Sequence, residues 1–195
     1  MITAILMASG LSSRFGDNKL IEKINGKFIF QYTIEQIILS KIDKLIVVCN
    51  NKIIVDYCIK NNIAYTINNN SEIGQSQSIK LGVLNSHKSS DYMFFVADQP
   101  LLQLEVINTL IDEFIKTKKQ FITIPVNNEK KGNPKIFPNK YRKNLLNLYG
   151  DFGGRSIIKD NLEKILEVTI NDDKSFLDVD TKNDFKIIKK IMLKQ

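Results

Sequence analysis

Between Ser9 and Lys19 the chain reads S-G-L-S-S-R-F-G-D-N-K, gathering two glycines, three serines, an arginine and a lysine into one short stretch. Backbone amides and hydroxyls in such a loop donate to phosphate oxygens, and Arg14 and Lys19 supply the opposing charge. Gly10 and Gly16 are expected to take positive φ and to let the main chain approach an anion closely. Two familiar phosphate loops are excluded by spacing. A Walker A loop needs Lys-Ser or Lys-Thr straight after its last glycine, whereas Asp17 follows Gly16; the separation of Gly10 and Gly16 fails the dinucleotide fingerprint. A triphosphate-binding loop of another kind and a plain Gly/Ser turn remain the two readings.

Further polar groups fall where a strand should end. The apolar run Asp91–Ala97 stops at Asp98-Gln99-Pro100. A carboxylate fixed at the tip of a central strand suits a hard cation such as Mg²⁺, and a helix cap is its plainer use. From Ser175 to Asp180 a period of two places Asp178 and Asp180 on one face, where they either complete a metal site begun by Asp98 or serve as a turn and a helix cap. Gly74-Gln75-Ser76-Gln77-Ser78 precedes a helix, so Gln75 or Ser76 lies near free amides that favour anions, or in an ordinary cap. The loop Gly150–Arg155 carries Asp151 and Arg155 between glycines and is read either as a second-substrate loop or as a connection between helices.

These residues need a frame, and the hydrophobic pattern supplies it. Ile2–Ala8, Lys44–Cys49, Ala64–Ile67, Asp91–Ala97, Gln120–Pro125 and Ile165–Ile170 read as strands. Helical patterns alternate with them: Phe28–Ile38, a helix through Val55 and Ile59 capped by Asn50 or Asn51, one from about Ile79, one over Leu102–Lys116, one over Tyr141–Leu148 and a last one from Thr181 or Asn183. The alternation predicts a mostly parallel sheet covered on both faces, with a hairpin around Asn127–Pro138 as its one antiparallel excursion. In such sheets ligands sit at the carboxyl ends of the strands, the edge that Ser9–Lys19 and Asp98 share. At 195 residues a single domain over the whole chain is expected.

Composition narrows the chemistry. No apolar run is long enough to span a membrane and no secretory signal is evident, so a cytoplasmic protein is expected. Cys49 and Cys58 lack metal or redox spacing and read as small buried hydrophobes. His87, the sole histidine, offers little to a triad or a zinc site. The formal charge is +7, yet the lysines are dispersed, with no basic stripe interleaved with aromatics of the kind that binds nucleic acid.

Taken in order, the pieces resemble the molybdenum cofactor cytidylyltransferase group of the MobA-like NTP transferases, which have a glycosyltransferase-A-like fold. That opening, L-A-A-G-x-S-x-R-M-G-x-x-K, looks like Leu6–Lys19; G-M-S-x-S-L-x-x-G looks like Gly74–Gly82. D-Q-P is Asp98–Pro100, G-H-P-x-x-F is Gly132–Phe137, G-D-x-G-x-R is Gly150–Arg155, and D-I-D-T is similar to Asp178–Thr181. The resemblance covers essentially the whole chain. It implies a three-layer α/β/α, Rossmann-like nucleotidyltransferase fold and transfer of CMP from CTP to a molybdopterin-type molybdenum cofactor, with release of pyrophosphate. Arg14, Lys19 and Asp98 would be catalytic. Ala8, Ser9, Gly10, Ser12, Arg14, Lys19, Gly74, Ser76 and Ser78 would contact the nucleotide. Asp98, Asp178 and Asp180 would position Mg²⁺, while Asn133, Asp151 and Arg155 would face the acceptor, with transient contact to a molybdoenzyme. Ser9 stands where the group has alanine and its guanylyltransferase relatives have glycine, Gln75 and Phe15 replace methionines, and Asn133 replaces the histidine of G-H-P. Guanylyl transfer or another cytidylyl transfer is the enzymatic alternative. A nucleotide or cofactor carrier is the non-enzymatic one, against which the joint presence of Arg14, Lys19, Asp98 and Asp178 speaks.

Overall fold

The computed structural model describes residues 1–12 and 14–194; Ser13, part of the loop singled out above, lies outside them. Along the chain come β1 (Ile2–Ala8), β2 (Lys23–Ile24), β3 (Lys27–Phe28), α1 (Ile29–Leu39), β4 (Lys44–Cys49), α2 (Lys52–Lys60), β5 (Ala64–Ile67) and α3 (Gln75–Asn85). They are followed by β6 (Asp91–Val96), α4 (Leu104–Lys116), β7 (Ile122–Asn127), β8 (Lys130–Lys131), β9 (Lys135–Phe137), α5 (Arg142–Leu146), α6 (Arg155–Lys159), β10 (Ile165–Thr169) and α7 (Lys182–Met192). The main sheet has the order β10-β7-β9-β6-β1-β4-β5, with β8 paired to β7. β1 runs parallel between β4 and β6. β9 is the antiparallel insertion, opposing β6 on one side and β7 on the other.

Burial explains the run-like strands. In β1, Ala4, Leu6 and Ala8 point into a core built with α1, α2, α4 and α7, while Ile5 points into a second core with α3, α5 and α6. Both faces are therefore apolar, as a strand inside a three-layer α/β/α sandwich requires. The hairpin expected around Asn127–Pro138 is present, and a second, at Asn25-Gly26, that was not expected shares its physical origin. Asn25-Gly26 (φ 49° and 80°) and Asn128-Glu129 (φ 45° and 64°) turn the β2–β3 and β7–β8 hairpins with two left-handed residues each. No helix among the described residues is long and apolar enough to cross a membrane.

Three local expectations change. Ser175–Asp180 is not a strand: Lys174–Phe176 is one 3₁₀ turn, and the chain then runs extended. Among the described residues its one backbone hydrogen bond to the segment that follows β6 is Val179 N–H to the Asp98 carbonyl at 2.9 Å. Val179 is fully buried, so the alternation is real and turns Asp178 and Asp180 the other way. Next, α4 starts at Leu104 rather than Leu102, because Gln99-Pro100-Leu101-Leu102 forms a turn closed by Leu102 N–H to Gln99 O at 3.2 Å. Proline's fixed φ suits its second position. Lastly, Gly16 takes the positive φ expected (95°), but in the first half of the loop Ser12 (φ 51°) does so, and Gly10 does not.

Candidate active site

The loop after β1 is held at both ends. Ser12 O accepts from the amides of Phe15 and Gly16, and the buried Phe15 ring meets Phe185 of α7 edge-on at 6.2 Å. Phe15 thus anchors the loop to the last helix. Asn18 Oδ1 accepts from Leu20 N at 3.1 Å and caps a 3₁₀ turn that begins with Lys19. Leu20 is buried, so Lys19 is directed inward between two fixed points. Its Nζ lies 2.5 Å from Asp98 Oδ2 and 3.1 Å from Asp180 Oδ1, with both Lys19 and Asp98 side chains mostly enclosed. Burial works against the ammonium, but Asp98 and then Asp180 outweigh it and hold the Lys19 pKa above the ordinary lysine value. Arg14 reaches Asp180 Oδ2 at 3.0 Å from a largely exposed position.

Asp178 joins this edge of the sheet through the Val179 bond. Asp178 is an exposed residue and does not line the cavity described below; partial desolvation of its carboxyl, with the nearby charge of Asp98, pushes its pKa up to about 6. Asp98 Oδ1 is buried and accepts no hydrogen bond from the described residues. An acidic group with an unpartnered oxygen, beside a second carboxyl that resists ionisation, is short of positive charge. A divalent cation fits that deficit. As the side chains stand, no three histidine, cysteine or acidic groups among the described residues converge tightly enough to hold a metal alone. The Lys19 ammonium sits between Asp98 and Asp180. The three-carboxylate cage expected from sequence is therefore not assembled among the described residues, and a cation there would need oxygens from outside the protein as well, as Mg²⁺ commonly has beside phosphates.

A cavity of about 350 Å³ opens at the same edge. Ser9, Gly10, Ser12, Arg14, Lys19, Asp98, Gly74, Ser78, Asp151 and Asp180 all line it. Ala8 is buried beneath the loop, and Ser76 is buried with an unpartnered Oγ; neither lines the cavity. The floor is a polar knot. Ser9 Oγ and Ser78 Oγ lie 2.8 Å apart, and Asn68 Nδ2 donates to both at 3.0 and 3.1 Å. Asn68, almost fully buried, ties the β1 loop to α3 and was not among the residues expected from sequence; its place in a run of asparagines hid it. Gln75 N–H donates to Asp151 Oδ1 at 3.2 Å, so this carboxylate caps α3. Gly74 (φ 107°) makes room for Asp151, which any Cβ there would strike. Asp151 thus stands in the cavity, while Arg155, expected with it, does not line it.

Asn133 and Arg155 belong to a neighbouring group that also holds Lys135, which the motif reading passed over. The segment bearing Asp178 is pinned to this side. Asn127 Nδ2 donates to Asp173 Oδ1 at 2.9 Å, Gln103 N–H to Ser175 Oγ at 3.1 Å, and the Phe176 ring lies where a Cβ on Gly132 would be. Lys135 Nζ donates to Asn133 Oδ1 at 2.7 Å. The cysteines play no part: both are buried and free, and burial pushes the Cys49 thiol up to about 12 and the Cys58 thiol to about 11.

With this geometry in view, the similarities to known proteins become informative. The MobA-like NTP transferase domain family matches residues 4–165. A protein named probable molybdenum cofactor guanylyltransferase from Thermococcus gammatolerans is 35% identical over 61% of this chain and 59% of its own length. Another so named, from Natranaerobius thermophilus, is 33% identical over 64% of this chain and 60% of its own. The chain thus spans less than two thirds of these curated relatives. Among solved structures, a nucleotidyl transferase from Methanothermobacter thermautotroptrophicus superposes with a TM-score of 0.84 over 100% of this chain and 98% of that one. At 17% identity that likeness speaks for the fold.

Proposed function

The chain belongs to the MobA-like NTP transferase domain family, and from that premise we propose that it transfers a nucleotidyl group to a molybdopterin-type molybdenum cofactor. The donor read from the order of motifs is CTP, and pyrophosphate leaves. The observation that carries this reading is Lys19, held between Asp98 and Asp180 at the mouth of a cavity floored by Ser9, Ser78 and Asn68. Such a site is built to neutralise phosphate charge and to align groups rather than to attack, and attack by an acceptor phosphate oxygen on the α-phosphorus needs those two services.

Arg14 and Lys19 would hold the triphosphate, Lys19 exchanging its carboxylate partners for phosphate oxygens as the nucleotide enters. The departing pyrophosphate would keep both contacts. Asp98 and Asp178 would hold Mg²⁺, with Asp180 the next carboxylate along; bound there, the ion neutralises charge on the phosphate oxygens. Gly10, whose missing side chain leaves the backbone open to the cavity, would let the triphosphate lie against the main chain. Ser9, Ser12, Gly74 and Ser78 would contact the nucleotide. Asp151, as a cap on α3 inside the cavity, would set the wall between nucleotide and acceptor, and Asn133 and Arg155 would meet the acceptor.

A second donor, GTP, is favoured by the names of the two relatives above. It is also favoured by Glu72, which lines the cavity. A carboxylate accepts from both the N1–H and the 2-amino group of guanine, whereas cytosine offers it only an exocyclic amine. Pyrophosphate release from each of the four NTPs, with and without the molybdopterin-type acceptor and Mg²⁺, tests the whole reading. Acceptor-dependent release with CTP alone supports cytidylyl transfer, and release with GTP alone moves the assignment to the second donor. Nucleotide binding without release under any condition would leave a carrier.

A further inference from the structure

Lys135 is the one feature near the site that the transfer reading leaves unused. It opens β9, opposite Phe94 of β6, and its side chain is only partly accessible. Among the described residues neither Lys135 nor Arg155 lies within 4 Å of a carboxylate oxygen. The only hydrogen-bond partner the Lys135 ammonium has among them is the neutral amide oxygen of Asn133. Burial and then the charge of Arg155 bring its pKa down to about 8, and the opposing pull of Asp178 is the smallest of the three influences. Lys135 is thus a partly buried cation whose side chain has only a neutral partner among the described residues, with the exposed Arg155 near enough for its charge to be felt and Asp178 the acid that pulls the other way. Proteins avoid that arrangement unless an anion completes it.

Its position is fixed as firmly as its charge. Gly132 lacks the Cβ that would collide with Phe176, so the Gly132-Asn133-Pro134-Lys135 strand entry lies directly against the segment that carries Asp178. Lys135 and Arg155 stand outside the nucleotide cavity and within electrostatic reach of the carboxyl group beside Asp98.

We propose that Lys135, with Arg155 and Asn133, binds the phosphate monoester of the acceptor. The inference rests on the transfer reading and gives its second substrate a docking point. In the step it serves, a phosphate oxygen forms a new P–O bond to the α-phosphorus. The bond from that phosphorus to the bridging oxygen of the pyrophosphate breaks, and the electron pair leaves with pyrophosphate. No proton has to move if the acceptor phosphate arrives as a dianion. Two neighbouring cations favour that dianion and offset its repulsion by the triphosphate.

Lys135→Met and Lys135→Arg, compared with the wild-type protein, test the assignment in two ways. In steady-state turnover, Lys135→Met should raise KM for the acceptor about tenfold or more, the worth of one charge-assisted hydrogen bond. KM for the nucleotide should stay within about twofold, and Lys135→Arg should recover most of the loss because it retains the charge. Unchanged constants for both substrates, or a loss confined to the nucleotide, would overturn the proposal. The second measurement needs no turnover. Cyanate carbamylation of Lys135, mapped by peptide mass spectrometry, should be slowed by phenyl phosphate and not by phenol. Equal rates in both overturn the proposal even where the enzyme is active. A protein that protects Lys135 with phenyl phosphate yet releases no pyrophosphate from any NTP contradicts the transfer reading while supporting the anion site. Melting curves of both variants separate these effects from misfolding.

Discussion

Lys19 and Lys135 are two enclosed lysines at one sheet edge, and the molecule treats them oppositely. Lys19 sits between two carboxylates and is held charged. Lys135 leans on an amide, faces a second cation and has its pKa lowered to about 8. The Lys19 half of the site, which we propose holds the nucleotide, is therefore largely paired and lacks a partner only at the buried Asp98 Oδ1. The Lys135 half, which we propose meets the acceptor, has no ion pair for its ammonium among the described residues. A ligand entering the first half must outcompete existing ion pairs, whereas one entering the second relieves a cost already present. The first half should consequently govern rate and metal dependence, and the second acceptor affinity and resting stability.

The largest test of that division is Asp98→Ala. It removes the partner of Lys19 and the carboxylate with the unpartnered buried oxygen together. Turnover should fall by at least ~10³-fold, comparable to losing an electrostatic anchor of the transition state. The fold should persist, because Asp98 serves the scaffold through its backbone carbonyl, which accepts from Val179 N–H and survives the change. Circular dichroism and steady-state rates at saturating Mg²⁺ check both halves of the claim. Wild-type rates in the variant would remove Asp98 from the mechanism and with it the contrast between the two lysines.

Lys19→Ala comes next, with an expected fall in kcat of about 10²–10³-fold, or roughly 2.7–4 kcal/mol, if the ammonium acts on the departing pyrophosphate. KM for the acceptor should hardly move. A variant that only melts lower, with kcat intact, would make Lys19 a structural bridge between strand tip and C-terminal segment.

The two halves also differ in how far they can be read from sequence. β4 and β5 fall on their expected residues because both are apolar or β-branched runs whose ends are marked by polar residues. Arg14, Lys19 and Asp98 are legible because each follows a strand of the parallel sheet, where the carboxyl edge is known in advance. Lys135 is not, since a lysine in a short strand ordinarily points to water; only the antiparallel insertion between β6 and β7 encloses it. Asn25-Gly26 carried a hairpin signal, but the apolar run after it reads more strongly as a helix. Ser175–Asp180 has the alternation of a strand without strand partners, and tertiary hydrogen bonding, invisible to periodicity, decides which it becomes.

A smaller effect comes from the joint between the halves. Gly132→Ala places a Cβ inside the Phe176 ring, so either the ring or the strand entry must shift. Overpacking of that kind costs about 1–3 kcal/mol, or a melting temperature lower by roughly 2–4 °C per kcal/mol in a chain of this size. Because Phe176 precedes Asp178 by two residues, the rate should fall more than that destabilisation explains. A variant that melts lower but turns over normally would uncouple the clamp from the site.

The smallest effect is the most discriminating, because its sign is unusual. Lys135→Met should stabilise the resting protein near neutral pH. The folded-state pKa of Lys135, about 8, lies below the ordinary lysine value of 10.5. Between those values the unfolded chain holds more protons, so wild-type stability rises with pH across that window and is penalised fully below it. The variant lacks the group, and its advantage should be greatest near pH 7 and fade as pH approaches about 10. At neutral pH, phenyl phosphate should raise the melting temperature of the wild type and leave the variant unmoved, since only the wild type presents both cations. An advantage independent of pH would trace the gain to packing by the methionine side chain. A wild type that melts above the variant at pH 7 without any anion would show Lys135 to be compensated internally, and the asymmetry between the two lysines would then have no energetic content.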